Sequence, residues 1–290
     1  MIGRVLAFLL LLTSGVSAQD VARVVYVGIE GDARYESQKL YTGLSLRDRH
    51  RPQDGARLGL RDSRVLGRSL GISFELEEVL AKQENLEDAL RAVREMDPLA
   101  ILLDLPPEAM EKALANARQN DLLFNIRDGS DRWRAENCAP NLFHTAPSRA
   151  MQSDALAQHL RARGWTDVLL LSGPTEEDAK QVETVRRSAA KFGLRIKQEL
   201  SFEQTNDPRR RDRSNIALLT GAVRHDVIWL VDDYGDFGRF VPYATYDARP
   251  VVGSEGMRPV AWHWTFERYG APQLNQRFRR IAAVSYTHLT

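Results

Sequence analysis

The chain has 290 residues, and its 40 Lys and Arg stand against 39 Asp and Glu for a formal net charge of +1. That length allows two domains of ordinary size, and so close a charge balance gives no general case for binding nucleic acid or an anionic membrane. Cys138 is the only cysteine, which excludes an intrachain disulfide, so stability must come from the cores; Cys138 itself reads as a small packed residue.

Met1–Arg4 is short with one positive charge, Val5–Leu12 is apolar, and Val16-Ser17-Ala18 supplies small residues. This order is that of an export signal, with cleavage expected after Ala18; the apolar run is too short for a spanning helix. No cysteine follows it, so no lipid anchor is expected.

From there strands and helices alternate. Arg23–Ile29 is rich in β-branched residues and predicts a first strand, and Gly28, Gly31 and Asp32 favour a loop after it. Asp54–Leu70 predicts an amphipathic helix with Ala56, Leu60 and Leu66 on its apolar side. Ile72–Val79 alternates as a half-exposed strand does. Leu86–Met96 is a helix stopped by Pro98. Leu99–Leu103 is wholly apolar, the pattern of a central parallel strand covered on both faces. A helix over Pro107–Gln119, with proline in its first turn, and a strand over Leu122–Ile126 follow.

A second series begins near Pro147. Helices are expected at Arg149–Arg163, closed by Gly164, at Glu176–Phe192, closed by Gly193, and over Ser214–Gly221. Strands are expected at Asp167–Leu171, Leu194–Phe202 and Val227–Val231. Trp262–Arg280 reads as loop and helix. Two consecutive βαβ series make an α/β protein of two Rossmann-like lobes with mainly parallel sheets. The boundaries are a signal peptide at 1–18, a first lobe at 19–143, a second at 144–280, and an unstructured or foreign tail at 281–290.

Ligands of α/β proteins bind beyond the carboxyl ends of the strands. The polar residues there are the candidates for ligand binding: Glu30, Arg34 and Tyr35 on the loop after the first strand, Asp104 after the third, Arg127 and Asp128 after the fourth, and Asp232, Asp233 and Tyr234 after Val231. Carboxylates and guanidinium groups in such places clamp a polar small molecule by charge-assisted hydrogen bonds; their alternative reading is helix and turn capping. Asn125 finishes the fourth strand beside them. Gly28-Ile29-Glu30-Gly31-Asp32 lacks the three-glycine dinucleotide fingerprint, and HExxH and P-loop motifs are absent. Val252 stands where a nucleophile elbow over Gly253-Ser254-Glu255-Gly256 needs its first glycine. Asp232-Asp233 has no His or Cys at ligand spacing, so no metal, cofactor or catalytic residue is expected. His263 with Trp262 and Trp264 is an aromatic cluster, read as packing or as the wall of a cleft.

Several strings resemble a known family. Asp54-Gly55-Ala56-Arg57-Leu58-Gly59 and Asn141-Leu142-Phe143-His144-Thr145-Ala146-Pro147-Ser148 are similar to the first helix and the lobe crossover of type I periplasmic binding proteins, the leucine/isoleucine/valine-binding class of ABC transport systems. Tyr41 through Arg49, Arg249 through Ser254, and Ala261 through Phe278 resemble one subfamily, the substrate-binding proteins associated with PQQ-dependent alcohol dehydrogenase systems. The resemblance implies a periplasmic protein that captures a small polar solute by lobe closure and presents it to an ABC permease, with a PQQ-dependent dehydrogenase system as a further partner. A ligand sensor acting on a receptor, or a periplasmic enzyme accessory to a quinoprotein dehydrogenase, are its alternatives. Amino-acid binders carry a Ser-Ala-Thr-like loop where this chain has Asn125-Ile126-Arg127-Asp128, which argues against a branched-chain amino acid. The family pattern also continues beyond Arg280 and returns to the first lobe, which this chain is not expected to do, so a C-terminal truncation is expected.

Overall fold

The computed structural model describes residues 20–36, 50–203, 207–260, 263 and 265–282. The expected export signal, the subfamily string 41–49, Trp262, Trp264 and the tail from 283 lie outside the described residues.

In the first half, β1 (Asp20–Ile29) precedes α1 (Gln53–Asp62), α2 (Arg64–Leu70), β2 (Ile72–Ala81) and α3 (Leu86–Glu95). β3 (Ala100–Asp104), α4 (Pro107–Ala115), β4 (Leu123–Asn125) and β5 (Leu142–His144) complete it. In the second half come α5 (Arg149–Ala162), β6 (Asp167–Ser172), α6 (Glu176–Lys191), β7 (Arg195–Ser201) and α7 (Ile216–Thr220). β8 (Val227–Val231), α8 (Val241–Ala244), β9 (Val251–Gly253) and α9 (Ala271–Ala282) follow.

Among the described residues all strand pairs are parallel and fall into two sheets, ordered β2-β1-β3-β4-β5 and β7-β6-β8-β9. Both orders reverse beside their first strand, which makes β1/β3 and β6/β8 the two topological switch points where doubly wound proteins bind ligands. β5 and β9 were not expected from the sequence; β4, equally short, was, because it overlaps the apolar run Leu122–Phe124.

Of the two wholly apolar runs, Val227–Val231 is buried throughout, whereas Leu99 is 51 % exposed ahead of β3 and Leu102 is partly buried. Along β6 and β8 alternate residues enter opposite cores: Val168, Leu170, Val227 and Trp229 pack under α5 and α6, whereas Leu169, Leu171, Ile228 and Leu230 pack with Phe202, Phe237 and Val241. Each fully buried aliphatic chain of this kind contributes about 1.5–3 kcal/mol. In the first sheet Val25, Val27, Ile101 and Leu103 meet α3 and α4. The opposite face carries a cross-strand row, Tyr26, Leu102, Phe124 and Phe143, that runs from full burial at Tyr26 to 48 % exposure at Phe143.

Local chemistry sets the element ends. The expected continuous helix over 54–70 breaks at Ser63, whose Oγ donates to the Gly59 carbonyl at 2.9 Å. Leu66, expected inside, is exposed; instead Gly67 meets the β2 edge, where an added Cβ would lie 2.7 Å from the Ile72 carbonyl. The helix expected to reach Gln119 stops at Ala115, with Asn116 Nδ2 donating back to Lys112 O at 2.9 Å. Thr175 and Asp178 form a capping box at the start of α6. Cys138, expected in a core, is exposed in the turns after β4. The expected tail at 281–290 is corrected at its start, since α9 extends to Ala282. That helix packs against α1, with Arg277 Nε donating to Asp62 at 3.1 Å, so, contrary to the expectation, the chain returns to the first lobe.

Candidate functional site

At the first switch point a buried polar network closes the end of the sheet. Asp104, the last residue of β3, is 0 % exposed. The Tyr35 hydroxyl donates to both its oxygens, each at 2.8 Å, and the fully buried Tyr26 hydroxyl donates to Oδ2. Burial, then the charge of Asp104, holds both phenols well above their ordinary pKa, so they remain donors. Arg51 lies 3.8 Å from Asp104, donates to the Ile29 carbonyl at 2.5 Å, and stacks 4.5 Å from the Tyr35 ring centre. Arg127 pairs with Asp32 through both terminal nitrogens and lies 4.0 Å from Asp104. Burial works against the Arg127 charge, and Asp32, with Asp104 and Tyr35 beside it, more than offsets it, so its pKa rises.

Asn125 shapes the loop that carries Arg127. Its Oδ1 accepts from the backbone of Arg127 at 3.1 Å and of Asp128 at 2.8 Å, and its Nδ2 donates to Asp128 O at 2.8 Å. Burial, then the charge of Arg134, lowers the pKa of His144; the neutral ring's Nδ1 accepts from Asn125 Nδ2 at 3.1 Å. The Asp128 carboxylate accepts from Trp133 Nε1 and from Ser130 N. The loop also meets the start of α5, whose Arg149 N donates to Gly129 O at 2.8 Å. Arg149 Nη2 then reaches Glu177 of α6 at 2.7 Å.

The second switch point is built in the same manner. Asp232 follows β8, and its carboxylate accepts from Gly235 N at 3.0 Å and Gly238 N at 2.6 Å. Desolvation raises its pKa against those two bonds. Asp233 N donates to Asp178 Oδ1 at 2.8 Å, which ties β8 to the capping box of α6. Gly253 ends β9 with φ of 107°, and an added Cβ would sit 2.2 Å from Leu230 O. Only glycine brings the following Ser254 this close, where its Oγ accepts from Asp232 N at 2.8 Å.

Between the two carboxyl edges lies a cleft of about 850 Å³. Six of the nine residues expected to touch a ligand line it: Arg34, Arg127, Asp128, Asp232, Asp233 and Tyr234. The other three do not. Glu30 is exposed outside the cleft, and Tyr35 and Asp104 lie behind Arg127 as its support. Asp128 and Asp232 carry out the turn-capping alternative through the bonds above. Residues the sequence reading did not single out also line the cleft, among them Glu108, Arg149, Glu177, Lys180, Ser254 and Arg258. Several sit in the first turn of a helix that follows a strand, a positional signal available from the sequence. Among the described residues no cluster of three or more His, Cys, Asp or Glu side chains is placed to hold a metal.

No protein-family model matches the sequence, and no curated protein matches it. Solved structures do match the fold. An ABC transporter substrate-binding protein from Desulfitobacterium hafniense superposes with a TM-score of 0.67 at 12% identity, over 93% of this chain and 79% of that one. A putative branched-chain amino acid ABC transporter from Rhodospirillum rubrum gives 0.66 at 14% identity, covering 92% and 79%. An R. palustris ABC transporter solute-binding protein in complex with benzoate gives 0.59 at 12% identity, covering 92% and 75%. The chain therefore has the two-lobed α/β fold of type I periplasmic binding proteins.

Proposed function

We propose that this chain is the periplasmic solute-binding component of an ABC transport system, which captures a small polar molecule between its lobes and presents it to a membrane permease. The observation that carries this reading is the cleft of about 850 Å³ at both switch points, within the size range of small-molecule sites. It is lined by charged groups from both lobes, the arrangement in which a ligand bridges and closes them. The similarity of fold to solute-binding proteins supports the same reading. The charged-apolar-small order of the first eighteen residues supports export, with Gln19 as the mature N-terminus. The subfamily strings support a link to PQQ-dependent alcohol oxidation.

The test is direct. Protein purified from the periplasmic fraction is denatured, the released small molecules are identified by mass spectrometry, and each is returned to ligand-free protein in a calorimeter. Saturable binding with a decrease in the radius of gyration by small-angle scattering is expected. Absence of binding by every released or candidate solute, or turnover of one of them, would overturn the reading.

A further inference from the structure

The charges lining the cleft give one answer when counted and another when their partners are followed. By count, Arg34, Arg127, Arg149, Lys180 and Arg258 face Glu108, Asp128, Glu177, Asp178, Asp232 and Asp233, an acidic excess of one that would favour a cation. Most of these groups are already engaged. Asp128 is held by Trp133 and Ser130, Asp178 by Thr175 and Asp233 N, and Asp232 by Gly235 and Gly238. Arg127 is paired with Asp32, and Glu177 with both Arg149 and Lys180. Asp233 is also engaged.

Among the described residues two guanidinium groups are left. Arg34, on the turn after β1, is exposed and donates its backbone N–H to Asp32; among the described residues its guanidinium has no carboxylate partner and lies 5.9 Å from the Tyr35 ring centre. Arg258, five residues past β9, is exposed with no hydrogen bond or ion pair among the described residues. The carboxylate left over, Glu108, sits in the first turn of α4, where the positive end of the helix already favours it. The free cations come one from each lobe, and both line the same cleft.

Resting on the capture reading above, we infer that the solute is a dianion, an organic dicarboxylate, with one carboxylate on Arg34 of the first lobe and the other on Arg258 of the second. A guanidinium fork matches a carboxylate bidentately, and closure desolvates both charges, so each demands a counter-charge. Phosphate fits less well. The α5 and α6 N-termini facing the cleft are capped by Ser148 and Thr175, which take the Met151 and Asp178 amides that a phosphate would use. Pro106, Pro107 and Val260 supply apolar wall for the carbon chain between the two ends. A zwitterionic amino acid would present a cation to one of two guanidinium groups.

The experiment uses the full chain, freed of bound solute, and titrates linear dicarboxylates from succinate to suberate. Their half-amides, diamides and matching diamines, leucine and inorganic phosphate are titrated beside them. At least one dicarboxylate is expected to bind, with its half-amide roughly 10- to 150-fold weaker, the loss of one hydrogen-bonded charge pair. Arg34→Gln and Arg258→Gln should each lower dicarboxylate affinity by the same factor. Both side chains are exposed, so the ligand-free melting temperature should stay at the wild-type value. Equal or tighter binding of a half-amide, diamide, diamine, leucine or phosphate overturns the dianion inference and leaves capture standing. So does undiminished dicarboxylate binding by both variants. If no probe binds, the solute released from the native protein decides: a dianion supports the inference, and a neutral, cationic or zwitterionic molecule overturns it. If no probe binds and no solute is released, the capture reading falls together with it.

Discussion

Tyr35→Phe removes a single oxygen and asks whether the Asp104 network holds the end of the first lobe together. The phenol donates to both Asp104 oxygens at 2.8 Å, and its ring stacks 4.5 Å from the Arg51 guanidinium, a contact that phenylalanine keeps. What is lost is one hydrogen bond to a charged acceptor, about 1.5–3 kcal/mol. Tyr26 and the two arginines continue to satisfy the carboxylate, yet water gains no route to a group that is 0 % exposed, so we expect about 2 kcal/mol. Urea unfolding of the ligand-free protein, followed by far-UV circular dichroism, measures it; the midpoint should fall while the slope is unchanged. In an Asp104→Asn background the same substitution should cost at least about 1 kcal/mol less, because the acceptor is no longer charged. The wild-type contribution should also be flat across neutral pH. A phenol whose folded pKa is raised adds stability that is fully present below the ordinary value of 10.0 and is lost as pH rises through the folded one. A Tyr35→Phe protein within about 0.5 kcal/mol of wild type, below what one such bond supplies, would refute the reasoning.

Arg127→Ala should destabilise the first lobe by about 3 kcal/mol in the same assay, since it leaves the buried Asp32 without its counter-charge; Arg127→Lys, lacking the fork, should recover only part. Gly253→Ala places a methyl against the Leu230 carbonyl at a φ of 107°, and should cost more than about 3 kcal/mol, seen as a lowered melting temperature or loss of soluble protein. The Asp232 carboxyl is held above its ordinary 3.8 by desolvation. A carboxyl with a raised folded pKa costs stability above that pKa and regains it as pH falls toward the unfolded value, so carbon-detected NMR should find Asp232 titrating higher than an exposed aspartate, and a midpoint below 3.8 would contradict the burial argument.

Long elements were legible because composition alone decides them. Val227–Val231 has no polar face to offer water and lies in a sheet covered on both sides, and Leu99–Leu103 marks a strand whose covering thins toward one edge. The strand ends were legible for the same reason, since the topology sends every loop after a parallel strand to one edge. What each polar residue does at that edge was not. Asp128 and Asp232 have the composition of ligand contacts and the geometry of turn caps, and only the positions of Trp133 Nε1 and of the Gly235 and Gly238 amides decide between the two. Asp104 resembles an exposed clamp until Tyr26 and Tyr35, 78 and 69 residues away in sequence, are found on its oxygens. Arg258 had no local signal, because β9 is too short to announce the edge that it follows.

The contact between α9 and α1 alters what a cut in the backbone can do. The polypeptide leaves the first sheet before α5 and comes back after β9, so the lobes are hung on two covalent straps. A body held by two straps swings about the line through both and resists swivelling around either. A protease that severs one strap also fails to free a lobe. After a nick between β5 and α5, the second fragment still carries α9, anchored on α1 with Arg277 against Asp62, and a nick between β9 and α9 leaves the first strap intact. Nicked protein should therefore elute at the native size and separate into two bands only on denaturation, which ascribes to the last helix the work of a clasp.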